Sequence, residues 1–549
     1  MGNVTGFIRL VLPDGQEVSG PTGSSLIDLV PDIPQDVLAA QVDGETVHLR
    51  KKIWENGRLN WLTLSSEAGA RVYQRSLCLL LFTAVEELFP GGEVRIQHSL
   101  SKGFFGELKI GRPVGTEDWE LLNKKMREIV QENRPILPHK ILASKGAKVF
   151  EKKGQFEKAE LLKQLGNQEI VLYRCNKTLD YLYGPTVYAT GLLELFALHS
   201  LSPGFLLSFP LIDNPTKLPD YVPQPKLAKV FREAESWADV LDCRFVSNLN
   251  DHIEEGKFAE LVTVSEAFHI RKLVHLADQV AQRPKSHRLI CIAGPSSSGK
   301  TTFAERLKVF LEVNGLKPVM ISVDDYFKDR EHTPKKPDGT YDFEHLEAID
   351  LELFNEHVRL LLQGEPVELP RFNFVEGVRG ASGKITQVGK LQPIIIEGIH
   401  GLNEKLTAEI PRGEKFKIYI SALTQLALDN HNRISTTDAR LLRRLVRDHQ
   451  YRGATAERTL EMWASVRAGE EEFIFPYQEE ADIMFNSALI YELAVLKKWA
   501  EPLLRSVEED SPVIGEAKKL LRFLEYFYEA DSKAIPEMSI LREFIGPRE

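Results

Sequence analysis

The sequence predicts a multidomain α/β protein: two small α/β and α+β modules, then a doubly wound parallel sheet, then a helical tail. Three observations predict it. The 549 residues suffice for three or four domains, and 43% hydrophobic with 27% charged residues is the mix of a chain that buries several cores. An apolar strand, RLICIAG, runs into a glycine-rich loop and from there into a helix. Two further apolar strands, PVMISV and PIIIEG, each run into acidic residues, where open α/β sheets place their ligands.

Composition narrows the setting. A formal charge of −10 favours solubility and argues against a broad nucleic-acid-binding surface, although a local basic patch stays open. Cys78, Cys175, Cys243 and Cys291 are scattered and form no CxxC pair, so buried thiols in a reducing, cytoplasmic setting are expected. The start, MGNVTGFIRLVLPDGQ, lacks the pattern of a secretory signal, and no apolar run is long enough for a membrane span. Met-Gly with Thr5 fits the myristoylation pattern only loosely, because the hydroxyl belongs one place later.

In chain order, residues 1–65 read as a small α/β module: FIRLVL alternates as a strand, PDG turns, LIDLV is helical and QVDGETVHL suggests a hairpin. Residues 66–212 form a second module. Leu77, Leu80, Leu81, Val85 and Leu88 place a helix over about 71–89, stopped by Pro90-Gly91-Gly92. Helices are also expected over 117–131 and about 151–165, and strands and loops over 172–209. The proline-rich stretch LIDNPTKLPDYVPQPK opens a linker and helical connector, 213–285. The parallel sheet occupies 286–487. Residues 488–549 read as a helical extension, with LLRFLEYFYEA its clearest amphipathic piece, packed on the sheet domain or making a homodimer contact.

GPSSSGKT, residues 294–301, matches the phosphate-binding P-loop pattern, with the required strand before it and helix after it. Glycines let the backbone curl until its N–H groups face phosphate oxygens, and the helix that begins there adds its positive end. Gly294, Ser296, Ser297, Ser298, Gly299, Lys300, Thr301 and Thr302 are therefore candidate ATP-binding residues. Lys300 would reach the β- and γ-phosphates and the Thr301 hydroxyl would ligate Mg²⁺. Asp324, after the second strand, is placed to take the proton of an attacking hydroxyl; capping a helix is its alternative. Glu397 is the expected Mg²⁺-side acid, or an ordinary strand-end acid. Arg440, Arg443, Arg444, Arg447 and Arg452 recur on one side of a helix, either to neutralise a transferring phosphoryl group or as a solvated basic face.

From about 288 to 486 the chain resembles the uridine kinase and phosphoribulokinase family. GPSSSGKTT, DDYF, YDFEHLEAID, ELPRFNF, IIIEGIHGL, RRLVRD and EEADIMFN stand in that family's order and spacing. The resemblance implies an ATP- and Mg²⁺-dependent kinase with Asp324 as base and Lys300, Thr301 and Glu397 serving ATP and metal. It implies Tyr326, Asp342 and Phe372 lining the acceptor pocket, Asp342 gripping ribose hydroxyls, and Arg444, Arg447 and Arg452 forming the lid. Two departures stand out. Gly377 replaces the family's base-reading histidine and Phe372 a frequent tyrosine, which weakens the case for uracil or cytosine recognition. Ala454 stands where another lid arginine is frequent.

Residues 1–65 resemble the ubiquitin-like TGS domain of threonyl-tRNA synthetases, and RSLCLLLFTAVEELFP, GFFGEL and LYGPTVY are similar to their editing domain. The editing chemistry needs two histidines, a cysteine and a further histidine. Those places hold Arg75, Leu79, Leu182 and Thr186, which implies a catalytically dead relic. The implied activity of the whole is transfer of the ATP γ-phosphate to a hydroxyl, the 5′-OH of a nucleoside such as uridine. Two alternatives stay open: a kinase for another sugar-like or phosphorylated metabolite, and an ATP-binding regulator that reads RNA with its front half.

Overall fold

The structure, a computed structural model, describes residues 6–284, 286–336, 339–373, 376–424 and 426–548. Thr5, and Phe374 and Val375 of the base-reading segment, lie outside them. Among the described residues no helix is long and apolar enough to cross a membrane, and the four cysteines are buried and unpaired.

The front of the chain builds a mixed five-stranded sheet in which Phe7–Val11 lies parallel to Gly57–Leu62 and antiparallel to Glu17–Pro21. Behind it, the 22-residue helix Glu67–Leu88 carries an almost unbroken run of buried side chains from Leu77 to Val85. A helix buried on nearly all sides belongs in the middle of a domain. It packs with an antiparallel four-stranded sheet, whose edge strand is Glu93–Leu100, and with a three-stranded sheet centred on Glu169–Cys175.

The helix expected over 151–165 is two helices, Ala143–Lys152 and Phe156–Gln164. Gly154, at φ 75°, sits in the left-handed region between them and ends the first. The connector likewise divides into Pro225–Val240, Val246–Glu254 and Phe258–Gln282, broken near Asp242 at φ 46° and Gly256 at φ 73°. In the tail, the helix of LLRFLEYFYEA ends at Leu524, and a turn follows.

The second half is the doubly wound sheet. In spatial order its strands are Val319–Ser322, Ile394–Glu397, Leu289–Ala293, Lys415–Ser421 and Ile483–Asn486, and every neighbouring pair is parallel. The central strand is buried along its whole length, as near-continuous apolar strands of parallel sheets require. Outside the sheet stands a hairpin, Val367–Asn373 with Val378–Thr386. One apolar cluster runs from Ala143 and Leu162 through Leu273 and Ile292 to Phe527 and Ile545, so three regions distant in sequence share a single core.

Candidate active site

The parallel sheet sets the site. Ser322 and Glu397 are register partners, and Glu397 also pairs with Ile292 on the strand that feeds the P-loop. The loop, Glu397 and, two residues past Ser322, Asp324 therefore emerge together at the carboxyl ends of three adjacent strands.

Within the loop, Gly294 passes the Ile420 carbonyl so closely that a Cβ would collide with it. Ser297 at φ 58° and Gly299 at φ 82° turn the backbone through the left-handed region, the geometry that points successive N–H groups into one hollow. Ser297 and Ser298 are 2% and 0% exposed, and neither hydroxyl has a hydrogen-bond partner among the described residues. Orphaned buried donors are costly, and a phosphate group would satisfy them. Lys300 opens the helix Lys300–Val313 and donates to the Pro295 carbonyl at 3.2 Å. Thr301 is exposed. These residues fit a nucleotide tail, and Thr301 and Glu397 would serve Mg²⁺, a metal that takes few protein ligands and leans on phosphates. Among the described residues no cluster of three or more His, Cys, Asp or Glu could hold a metal by itself.

Burial raises the Asp324 carboxyl, while Lys300 and Arg452 pull it back toward its charged form. Glu397 accepts from the Ser322 hydroxyl at 3.2 Å; burial, reinforced by the charge of Asp324, pushes it up to about 7. Two carboxylates in one hollow each hinder ionisation of the other, as they do where a cation is meant to enter. Asp325 has a structural place: it accepts the Phe372 N–H at 3.2 Å and ties the hairpin to this turn.

The arginine helix is Thr436–Arg452, capped by Ser435 and ended by Gly453 at φ 61°. Its arginines divide into two sets. Arg440 and Arg443 are fully buried and grip the P-loop backbone, donating to Ser296 O at 3.1 Å and Ser297 O at 3.3 Å. Glu470 and Glu492 neutralise them. Arg444 donates to Ser296 Oγ at 2.7 Å, and Asp448 gathers Arg444, Arg447 and the exposed Arg452 at 3.1, 2.7 and 3.5 Å.

Of the residues expected on the acceptor side, Tyr326 is fully buried against Phe354, with its hydroxyl 3.1 Å from His357 Nδ1. Phe372 packs at 6% exposure against Phe327. Asp342 turns its carboxylate to the Glu344 N–H at 3.2 Å. Glu344, two residues on, was not singled out from the sequence, yet it shares charges with the site. Burial pushes it up to about 7, and the charges it feels are those of Arg444, Glu470, Lys300 and Asp324. Both acids sit in YDFEHLEAID, and Gly469, whose Cβ would come within 2.6 Å of Glu344 Cβ, makes room for the Glu344 stem. At Gly377, φ 74°, the space beside the Cα is filled by Arg330, whose Nε lies 2.7 Å from where a Cβ would stand.

In the front half, the four places where the editing-domain resemblance expects histidines and a cysteine are packed shut. The Arg75 guanidinium, pushed down to about 10 by burial, donates to Pro185 O at 2.5 Å and lies against Gly184. Leu79, Leu182 and Thr186 are 0%, 2% and 0% exposed. The loop that precedes the arginine helix enters this half. His431 stacks on Phe82 at 3.8 Å, Arg433 lies over Phe104 at 4.4 Å, and Asn430 O accepts from Ile96 N at 2.9 Å.

Comparison with known proteins agrees with this division. The Phosphoribulokinase / Uridine kinase family matches residues 289–492. The amino-terminal region is similar to threonine–tRNA ligases. That of Citrifermentans bemidjiense is 28% identical over 199 residues, 36% of this chain and 31% of the ligase. That of Azoarcus sp. is 32% identical over 206 residues, 35% of this chain and 31% of the ligase. The chain thus spans about a third of the length of these relatives. Among solved structures, a possible uridine kinase from Bacillus stearothermophilus is 16% identical, covers 40% of this chain and 100% of its own, and has a TM-score of 0.27, too low to carry an argument. Residues 289–492 thus match the Phosphoribulokinase / Uridine kinase family, behind a front region similar to threonine–tRNA ligases.

Proposed function

We propose that the chain is an ATP-dependent phosphotransferase acting on a hydroxyl of a nucleoside-like molecule. Bound ATP would supply the phosphoryl group and Mg²⁺ would offset its charge. Lys300 and the loop amides hold the phosphates, and the Asp324 carboxylate orients the acceptor hydroxyl and takes its proton as the new O–P bond forms. Arg444, Arg447 and Arg452 neutralise charge on the transferring group, and ADP carries away the electrons of the broken bond. Glu344 grips the acceptor beside Asp324. The observation that carries this reading is the convergence of the P-loop, Asp324 and Glu397 at the ends of three adjacent strands beneath the arginine helix.

A second reading, a sugar-like or phosphorylated acceptor, is favoured by Gly377: the guanidinium of Arg330 stands where a base-reading side chain would project. The regulatory RNA reader has less support, because the chain's own Arg75 is buried against Gly184 and Pro185 where the editing-domain resemblance expects a histidine. The test is ATP consumption across a panel of nucleosides and sugar phosphates. The expected result is turnover with one acceptor class, abolished in Lys300→Ala and lowered about 10²- to 10⁴-fold in Asp324→Asn. Full turnover by Asp324→Asn would refute the base assignment.

A further inference from the structure

The far end of the chain reaches into the P-loop. Ile535, Ser539, Ile540, Leu541 and Phe544 are 0% exposed. Arg542 locks the segment by donating to the carbonyls of Ser532 at 3.0 Å and Ile535 at 2.7 Å. Phe544 lies 5.0 Å beneath the guanidinium of Arg443, the residue that holds Ser297 O. Ile540 comes within 2.6 Å of the point where Gly299 would carry a Cβ.

Glu543 makes the decisive contact. Its Oε2 accepts from Thr302 Oγ1 at 2.8 Å and from Thr302 N at 3.4 Å. With Gly299 as cap, Thr302 is the third residue of the P-loop helix. Its N–H therefore has no partner within the helix and belongs to the donors that a helix start offers to an anion. The negative charge of Glu543 is also felt at Glu397, which it raises, and at Arg452. Next to these contacts, the Ser297 and Ser298 hydroxyls stay buried without hydrogen-bond partners among the described residues. One end of the cradle is thus filled by a carboxylate of the chain itself.

We propose that Glu543 is a latch on the nucleotide site: its carboxylate occupies the Thr302 donors in the ATP-free chain, and a nucleoside triphosphate must displace it to seat fully. The proposal rests on the P-loop reading above. A carboxylate and a phosphate cannot share two donors, and two anions at that distance repel. Nucleotide affinity therefore includes the work of opening the tail. Removing the charge but keeping the shape weakens the latch, because hydrogen bonds to a charged acceptor are about twice as strong as neutral ones.

The test uses the full chain and MgATP, with affinity read by titration calorimetry. Glu543→Gln is expected to bind ATP about five- to tenfold more tightly than the wild type, and Glu537→Gln, a tail carboxylate that accepts from Arg548 N, to bind like the wild type. Equal or weaker binding by Glu543→Gln would overturn the latch and leave the P-loop reading standing. Absence of ATP binding in the wild type and in Glu543→Gln alike would overturn both. Amide exchange on the wild type needs no variant: ATP should speed exchange over residues 535–545, and an unchanged or slowed rate there would sink the latch.

Discussion

Asp180 is a buried charge with partners on both sides of the boundary between the front half and the parallel-sheet domain. Lys158 pairs with it from the front half, and His431 Nδ1 stands 2.5 Å away on the far side. Asp429 completes the cluster, 3.8 Å from Lys158. Burial works to raise the Asp180 carboxyl, but His431 and Lys158 outweigh it and hold the group well below the usual carboxylate range. Such a group adds stability above its unfolded value of about 3.9, and that contribution drains away as pH falls through the folded value. Asp180→Asn leaves Lys158 without its closest counter-charge, a change that costs about 3–5 kcal/mol when one partner of a buried pair is removed. Thermal denaturation at pH 7 should show a clearly lower midpoint, and the variant should lose less further stability than the wild type below about pH 4. An unchanged midpoint would mean the cluster adds nothing. Glu344 belongs to the same scale. Glu344→Gln should raise the acceptor KM about tenfold or more while the ATP KM holds, and equal changes in both would remove it from the acceptor side.

Among the elements, the helix Ala456–Phe473 shows how a single small residue makes room for the Glu344 side chain. Its Gly469 lets the stem of Glu344 pass, with a hypothetical Cβ only 2.6 Å from Glu344 Cβ. Gly469→Ala forces the helix and the 341–350 loop apart. Overpacking of this kind costs about 1–3 kcal/mol, so both a lower melting temperature and a raised acceptor KM are expected. A drop in melting temperature with unchanged kinetics would show that the loop absorbs the strain without moving its carboxyl group. The P-loop strand and helix were legible from the order of apolar and glycine residues, because each depends on neighbours in sequence. The arginine helix was legible as a helix, but its two faces were not. Spacing gave every arginine the same prospect of facing phosphate. Burial instead committed Arg440 and Arg443 to the back of the loop, where Glu470 and Glu492 meet them.

At the level of the whole molecule, the front half is built into the fold. The cluster that begins at Ala143 ends at Ile545, and the loop that feeds the arginine helix is anchored by Phe82, Phe104 and Tyr183. Residues 213–549 expressed alone would expose this apolar surface, so the piece should aggregate or melt well below the full chain, and co-expression of 1–212 should rescue it. A soluble piece with an unchanged melting temperature would show that the halves are independent. The sequence by itself determined the chemistry on offer: the P-loop, acids at the ends of apolar strands, a helix of arginines, and a front half without the histidines that its editing-domain resemblance would need. These are local facts, set by backbone preference and short spacing. Only the tertiary structure decided that Gly469 makes room for Glu344, that Arg75 is buried against Gly184 and Pro185, and that Glu543 sits on Thr302 across 241 residues of chain. Contacts at that separation are chosen by packing of the whole core, and no window of sequence carries them.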